Sequence, residues 1–256
     1  MMHDVFLSPN LLRVFGAILV TLAVLVITAL TGIMALAARR AGRALLFAPL
    51  LTATSLGAWL IWAVFAVRLP VVVPPPAPVG QAVVQIQPIL LLEMALFVTV
   101  AIVVLFASRA MRALNAATRP EWLIAVQSYR VGGVMFLWPF MAAGALPVSF
   151  ALPSALGDMA TGLAAPILAL AIAHGRAGAR AWAIAWNCFG ILDLIAAPAA
   201  AVLSHTTNVG RFPLILVPLF IGPPLGILIH VYSLRNLAAN GRDRVASLAR
   251  SWAPQP

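Results

Sequence analysis

The sequence has no lysine, a single cysteine and six acidic side chains, and charged residues make up only 9% of its 256 positions. An ordinary soluble domain carries about 25% charged and 45–50% apolar residues. Here 63% are apolar, which excludes a soluble globule. The missing lysine removes any chemistry through a lysine Schiff base, including the chromophore linkage of a retinal photoreceptor. Cys188 sits inside an apolar run with no intrachain disulfide partner, so cysteine usage carries no compartment signal. At about 20 apolar residues per membrane crossing, some seven helices consume roughly 140 positions and leave no room for a separate soluble catalytic domain.

What is abundant is arginine, which supplies all 16 basic residues and a formal net charge of +10. In a soluble protein that balance would point to nucleic acid. Here the arginines lie in short loops between apolar runs, so anionic lipid head groups at the cytoplasmic face are the expected partner, and nucleic acid is not.

Apolar runs at about 11–38, 44–67, 88–107, 121–145, 154–173, 181–203 and 213–235 are each long enough to cross a bilayer. The expected fold is an all-α membrane protein, a bundle of seven transmembrane helices. Arg39, Arg40, Arg43, Arg109, Arg112, Arg119, Arg176, Arg180, Arg235, Arg242, Arg244 and Arg250 fall on one side, against Arg13, Arg68 and Arg211 on the other. The positive-inside rule then places the N-terminus outside and the C-terminus in the cytoplasm. His3 and Asp4 replace the basic region of a secretory signal, so the first span reads as an uncleaved anchor. Arginine-only basic usage with abundant alanine suits the cytoplasmic membrane of a high-GC bacterium. The chain divides into a bundle over 1–235 and a basic tail over 236–256, in which Val245, Leu248 and Trp252 at helical spacing fit an interfacial helix on the inner leaflet.

Local signals add detail. Pro70, Pro74, Pro75, Pro76 and Pro78 predict an extended external segment over 69–87. Thr118-Arg119-Pro120-Glu121 has capping-box spacing, with Thr118 as N-cap and Glu121 at the third helical position. Pro166, Pro198, Pro218 and Gly222-Pro223-Pro224-Leu225-Gly226 predict interruptions of the last three spans, leaving carbonyls that line a hydrated space or glycines that contact another helix. No internal repeat is evident beyond a shared proline at Pro49 and Pro198. Seven spans with an external N-terminus also describe the three-plus-one-plus-three sugar transporters, a shared topology that transfers no function.

Ionisable groups inside a bilayer cost from about 2.5 kcal/mol upward and persist where they pair or line a pathway. By rise per residue, Arg130 sits roughly 13 Å and Asp193 roughly 18 Å from the inner face, a difference an arginine side chain spans. An Arg130–Asp193 pair is therefore expected, with Gln127 and Asn187 a turn or more below. Glu93, about 8 Å into the third span, and Asp158, about 6 Å into the fifth, lie toward the outside. Asp158 is explained by the helix dipole if Ser154 starts that helix; Glu93 has no such explanation. Continued to His230, about 8 Å from the inner face, these residues form a candidate solute or proton track.

Four functions compete. A small-solute or proton-coupled transporter uses Asp193 as relay and Arg130 as its charge partner. An assembly subunit of a membrane complex uses the same polar groups only to hold helices together. A haem protein would draw on His174 and His230 at the inner face, while His3 and His205 lie outside; no cofactor follows from the residues. Ala155-Leu156-Gly157-Asp158 resembles half of the Gly-x-Gly-Asp signature of the aspartyl membrane proteases, over four residues only. That resemblance implies Asp158 and Asp193 as a catalytic pair, although their expected depths differ by about 9 Å. Gly-x-Ser-x-Gly, His-x-x-His and Cys-x-x-Cys patterns are absent, so no catalytic or metal-ligating residue is assigned.

Overall fold

The computed structural model describes residues 9–42, 45–66, 88–137, 148–203 and 216–251. They fold into α1 (Pro9–Ala41), α2 (Phe47–Ala66), α3 (Pro88–Ala107), α4 (Arg109–Ala117), α5 (Pro120–Ala125), a 3₁₀ segment (Val126–Gly133), α6 (Val148–Ala173), α7 (Ala179–Leu203) and α8 (Leu216–Ser251). No strand occurs among the described residues. The proline segment at 69–87, together with His3, Asp4 and His205, lies outside them, as do the side chains of the basic tail.

The packing inverts the pattern of a water-soluble protein. Leu50, Phe65, Ile167 and Leu192 are each about two-thirds exposed, whereas Gln127, Arg130, Asn187, His230, Ser233 and Asn236 are buried. An apolar surface of that extent is not stable in water. In lipid the helices gain little from apolar burial against one another, and close packing of small residues with internal polar contacts holds them together. Ala151, Ser154, Ala155, Thr161, Ala165 and Ala169 form such a buried small-residue stripe along α6. Val14–Ala41, Phe47–Phe65, Phe150–Ala173 and Ala179–Ala197 are long and apolar enough to cross a membrane, and the bent pair of α3 and α4 makes a fifth span if counted as one. The chain is a membrane-embedded, all-helical protein with four to five such helices among the described residues. At its centre stands α8, which packs on α7, α3, α5, α2, α4 and α1.

Several local expectations are corrected. The stretch expected to be one span over 121–145 begins instead as the short α5 followed by the 3₁₀ segment. Thr118 does not cap α5: it closes α4, with its hydroxyl donating to Leu114 O at 2.7 Å, while Arg119 occupies the N-cap of α5 and ion-pairs with Glu121. Pro120 at the first turn explains the choice, because it restricts the residue before it to extended backbone. α6 starts at Val148 and runs through Pro153 and Pro166, so Asp158 lies well inside the helix and not in its first turn. α8 likewise continues through Pro223 and Pro224 to Ser251, uninterrupted and without a break before the tail. Gly226 is the helix contact, facing Leu194 and Tyr129, whereas Gly222 has open space around it.

The loop expected after the third span is an elbow. α3 and α4 meet at 81°, with Ser108 in extended conformation accepting from Met111 N at 3.3 Å as the N-cap of α4. The last carbonyls of α3, which have no helical donor ahead of them, are taken by arginines. Arg112 Nη1 donates to Phe106 O at 2.9 Å and Ala107 O at 2.8 Å, and Arg235 Nη1 donates to Leu105 O.

A buried guanidinium shared by two carboxylates

The 3₁₀ segment determines what faces the bundle interior. With three residues per turn, positions i and i+3 eclipse, so Gln127, Arg130 and Gly133 align in one stripe, and all three are buried. Its backbone reaches α6 at Gly162, where a Cβ would lie 2.5 Å from Val131 N and 2.9 Å from the Arg130 carbonyl carbon. Only glycine permits that approach, and it delivers Arg130 between α6, α7 and α8.

All three guanidinium nitrogens of Arg130 are occupied. Nε donates to Asp158 Oδ1 at 2.7 Å, and Nη2 lies 2.7 Å from the same oxygen while also bonding Asp193 Oδ2. Nη1 donates to His230 Nε2 at 3.2 Å and to Gly190 O at 3.4 Å. Because a guanidinium has no acceptor, Nε2 of His230 carries the lone pair. The proton is then on Nδ1, which donates to Asn187 Oδ1 at 2.9 Å. Asn187 Nδ2 in turn donates to Ala183 O at 2.7 Å and Ser233 Oγ at 3.2 Å. The Trp186 ring meets His230 edge-on with centroids 5.0 Å apart, and its Nε1 donates to Thr161 O at 3.1 Å.

Glycines wall the cluster. A Cβ on Gly133 would overlap the Asp158 side chain at its own Cβ, one on Gly157 the Asp193 carboxylate, and one on Gly190 the His230 ring. The charged groups thus occupy the volume that side chains at these positions would fill.

The pairing expected of Arg130 and Asp193 is present, and Asn187 joins it through His230. Asp158 is not a shallow, separate residue, because Asp158 and Asp193 meet on one guanidinium. Nor does His230 stand apart toward the inner face, since it contacts the same Arg130. Gln127 is adjacent but turned to α8, donating to Gly226 O at 3.2 Å. Glu93 remains separate: no hydrogen bond or ion pair among the described residues links it to the cluster, and its buried Oε2 has no partner among them.

The arrangement limits the chemistry. Both ring nitrogens of His230 are engaged, so ligation of haem iron would first require breaking the Arg130 or Asn187 contact, while His174 Nδ1 lies 2.8 Å from Leu170 O at the end of α6. A protease-type dyad needs two carboxyls sharing a proton directly; here a guanidinium nitrogen stands between them. Among the described residues no group of three or more His, Cys, Asp or Glu is placed to hold a metal ion. What remains is one buried cation with two carboxyl groups. The Arg130 side chain is 1% exposed, while those of Asp158 and Asp193 are 19% and 14% exposed, so the accessible edge of the site is carboxylate.

Sequence reasoning missed Trp186, Ser233, Gly133, Gly162 and Gly190, and met Gly157 only as part of a protease-like motif. Spacing on α8 held one signal, since His230, Ser233 and Asn236 recur every three residues on its buried face. Asn236 belongs to a second polar contact, donating to Asn115 O and to Thr118 O, and Asn115 Nδ2 donates to Tyr232 O at 2.8 Å.

No curated protein and no solved structure matches the chain. A family model described as "Domain of unknown function (DUF8737)" matches residues 87–238. That stretch runs from the start of α3 to just past Asn236 and contains the whole Arg130 cluster, and with more than half of its length matched, the chain belongs to this family.

Proposed function

We propose that the protein is a proton-coupled carrier of a small solute, with Asp158 and Asp193 together holding the exchangeable proton. The observation that carries this reading is the two-to-one ratio of carboxyl groups to guanidinium at a buried site whose accessible edge is the carboxylates. With both ionised, the cluster bears one uncompensated negative charge in low dielectric, which is costly. Binding one proton removes that charge. Arg130, with every nitrogen occupied, is the fixed counter-charge, and the carboxyl groups are what exchanges. Gln127, Asn187 and His230 position the cluster, and Glu93 is a separate acidic group along the route.

The bundle is proposed to have seven spans over 1–235, with α5, the 3₁₀ segment and the following residues forming one crossing and α8 another. The N-terminus is outside, and the basic tail over 236–256 lies at the cytoplasmic leaflet of a bacterial inner membrane. After removal of Cys188, a cysteine placed at position 78 should label from outside intact cells and one at 178 only after permeabilisation. The reverse pattern would invert the topology.

The carrier reading is tested without knowing the solute. Asp158→Asn and Asp193→Asn each keep size and one hydrogen bond to Arg130 while removing the titratable group. Wild type should show a carboxylic-acid C=O infrared band that titrates with pH, and either substitution should abolish it with stability changed by about 1–2 kcal/mol. In proteoliposomes holding a pH-sensitive dye, a solute panel should elicit proton movement in wild type and none in either variant. A site with no titrating band would remove the proposed proton.

A second reading, a non-catalytic assembly subunit, is favoured by the saturated guanidinium and the glycine walls, which fit a helix-fastening role. It predicts no solute-dependent proton movement and loss of partner recovery in the same variants.

A further inference from the structure

We propose that the elbow between α3 and α4 binds the phosphate of an anionic phospholipid. The site rests on the span arrangement proposed above, in which α3 is a crossing of its own, and is independent of the exchangeable proton.

The carbonyl end of α3 carries a partial negative charge of about half an electron. Two whole guanidinium charges converge on it, Arg112 from α4 and Arg235 from α8, bonded to the successive carbonyls of Leu105, Phe106 and Ala107. Arg235 also lies over the Phe106 ring, 4.5 Å from its centroid. The elbow therefore keeps more than one unit of excess positive charge. Among the residues whose side chains are described no carboxylate offsets it: Glu121 pairs with Arg119, Asp158 and Asp193 pair with Arg130, and Glu93 lies about 18 Å back along α3. Like charges are held together, and their Nε and Nη2 donors have no acceptor among the described residues. Planar forks of this kind match a phosphate.

The position selects the source of that phosphate. The 81° turn lays α4 across the end of α3, with Arg109 and Arg112 exposed and Leu114 and Asn115 buried. In the seven-span arrangement proposed above, the elbow closes the third span on the cytoplasmic side, at the depth of phospholipid head groups. Below the elbow, Val103, Val104 and Phe106 expose an apolar wall on α3 that suits acyl chains. A soluble anion would gain nothing from that wall.

The test is native mass spectrometry of purified protein in micelles doped with equal phosphatidylglycerol and phosphatidylcholine. Wild type should retain phosphatidylglycerol preferentially, and Arg112→Gln with Arg235→Gln should reduce the preference about 30-fold. Arg109→Gln removes one charge from the same helix, as Arg112→Gln alone does, but at a side chain that bonds none of the α3 carbonyls, and should leave the preference nearly unchanged. An equal loss in Arg109→Gln and in Arg112→Gln alone would mean diffuse surface charge and overturn the site. Displacement of the lipid by millimolar inorganic phosphate would assign the elbow to a soluble anion and overturn the lipid. Should the double variant not fold, the wild-type measurement still decides, because equal retention of both lipids refutes the proposal outright. Arg112→Lys, which keeps the charge but not the fork, should give an intermediate preference.

Discussion

Replacing Arg130 with alanine is expected to prevent recovery of a folded, monodisperse protein. Breaking a buried ion pair by deleting one partner costs about 3–5 kcal/mol, because the surviving charge remains desolvated. Here deletion strands two carboxylates, the Gly190 carbonyl and the accepting nitrogen of His230 together. That loss is comparable with the whole stability of a typical domain, about 5–15 kcal/mol. The carboxylates escape by taking up protons, so residual folding should improve as pH falls. Combining Arg130→Met with Asp158→Asn and Asp193→Asn removes all three charges and should restore most of the lost stability, read as the midpoint of thermal unfolding in detergent. If Arg130→Ala unfolds within about 1 kcal/mol of wild type, the cluster does not organise the fold.

The second large effect concerns residues with no side chain. Gly157→Ala places a methyl group where the Asp193 carboxylate lies, and Gly190→Ala places one in the His230 ring. Overpacking alone costs about 1–3 kcal/mol, and displacing either group from Arg130 adds the penalty of a broken buried contact, so each variant should lose more than about 3 kcal/mol. Gly57 and Gly222 also sit in helices, yet nothing lies within 4 Å of a Cβ built on either. Alanine there should stabilise by about 0.5–1 kcal/mol through its better helix propensity. The same chemical change thus has opposite signs at paired positions. Uniformly small effects at all four would show that the glycines do not seat the charged groups.

Much of the candidate site was legible because ionisable residues in apolar runs are few. With four acids inside the expected spans or at their edges and Arg130 the one arginine deep within a span, depth alone matches Arg130 to Asp193. Depth failed for Asp158 because it was counted from a helix start at Ser154, whereas α6 begins at Val148. Reading Thr118 and Glu121 as a capping box failed for a related reason: an arginine before a proline was free to take the cap once Thr118 had closed the preceding helix. Prolines misled as well. Pro166, Pro223 and Pro224 suggested interruptions, but α6 and α8 continue through them.

By composition and hydropathy alone the sequence determined that the chain is helical and lives in a membrane, since 63% apolar content with 9% charge has no stable arrangement in water. Hydrophobic run length is a property of contiguous residues, and contiguity is what a sequence displays. Which polar residues meet is a property of helix rotation and of backbone separation, and these were decided by tertiary structure. The 3₁₀ segment turned Gln127, Arg130 and Gly133 onto one line, and Gly162 let that line approach α6. Only with Gly157 and Gly190 leaving their volumes empty did Asp193 and His230 reach the same guanidinium as Asp158. A missing side chain becomes informative only when the group that fills its place is known, and that group is distant in sequence.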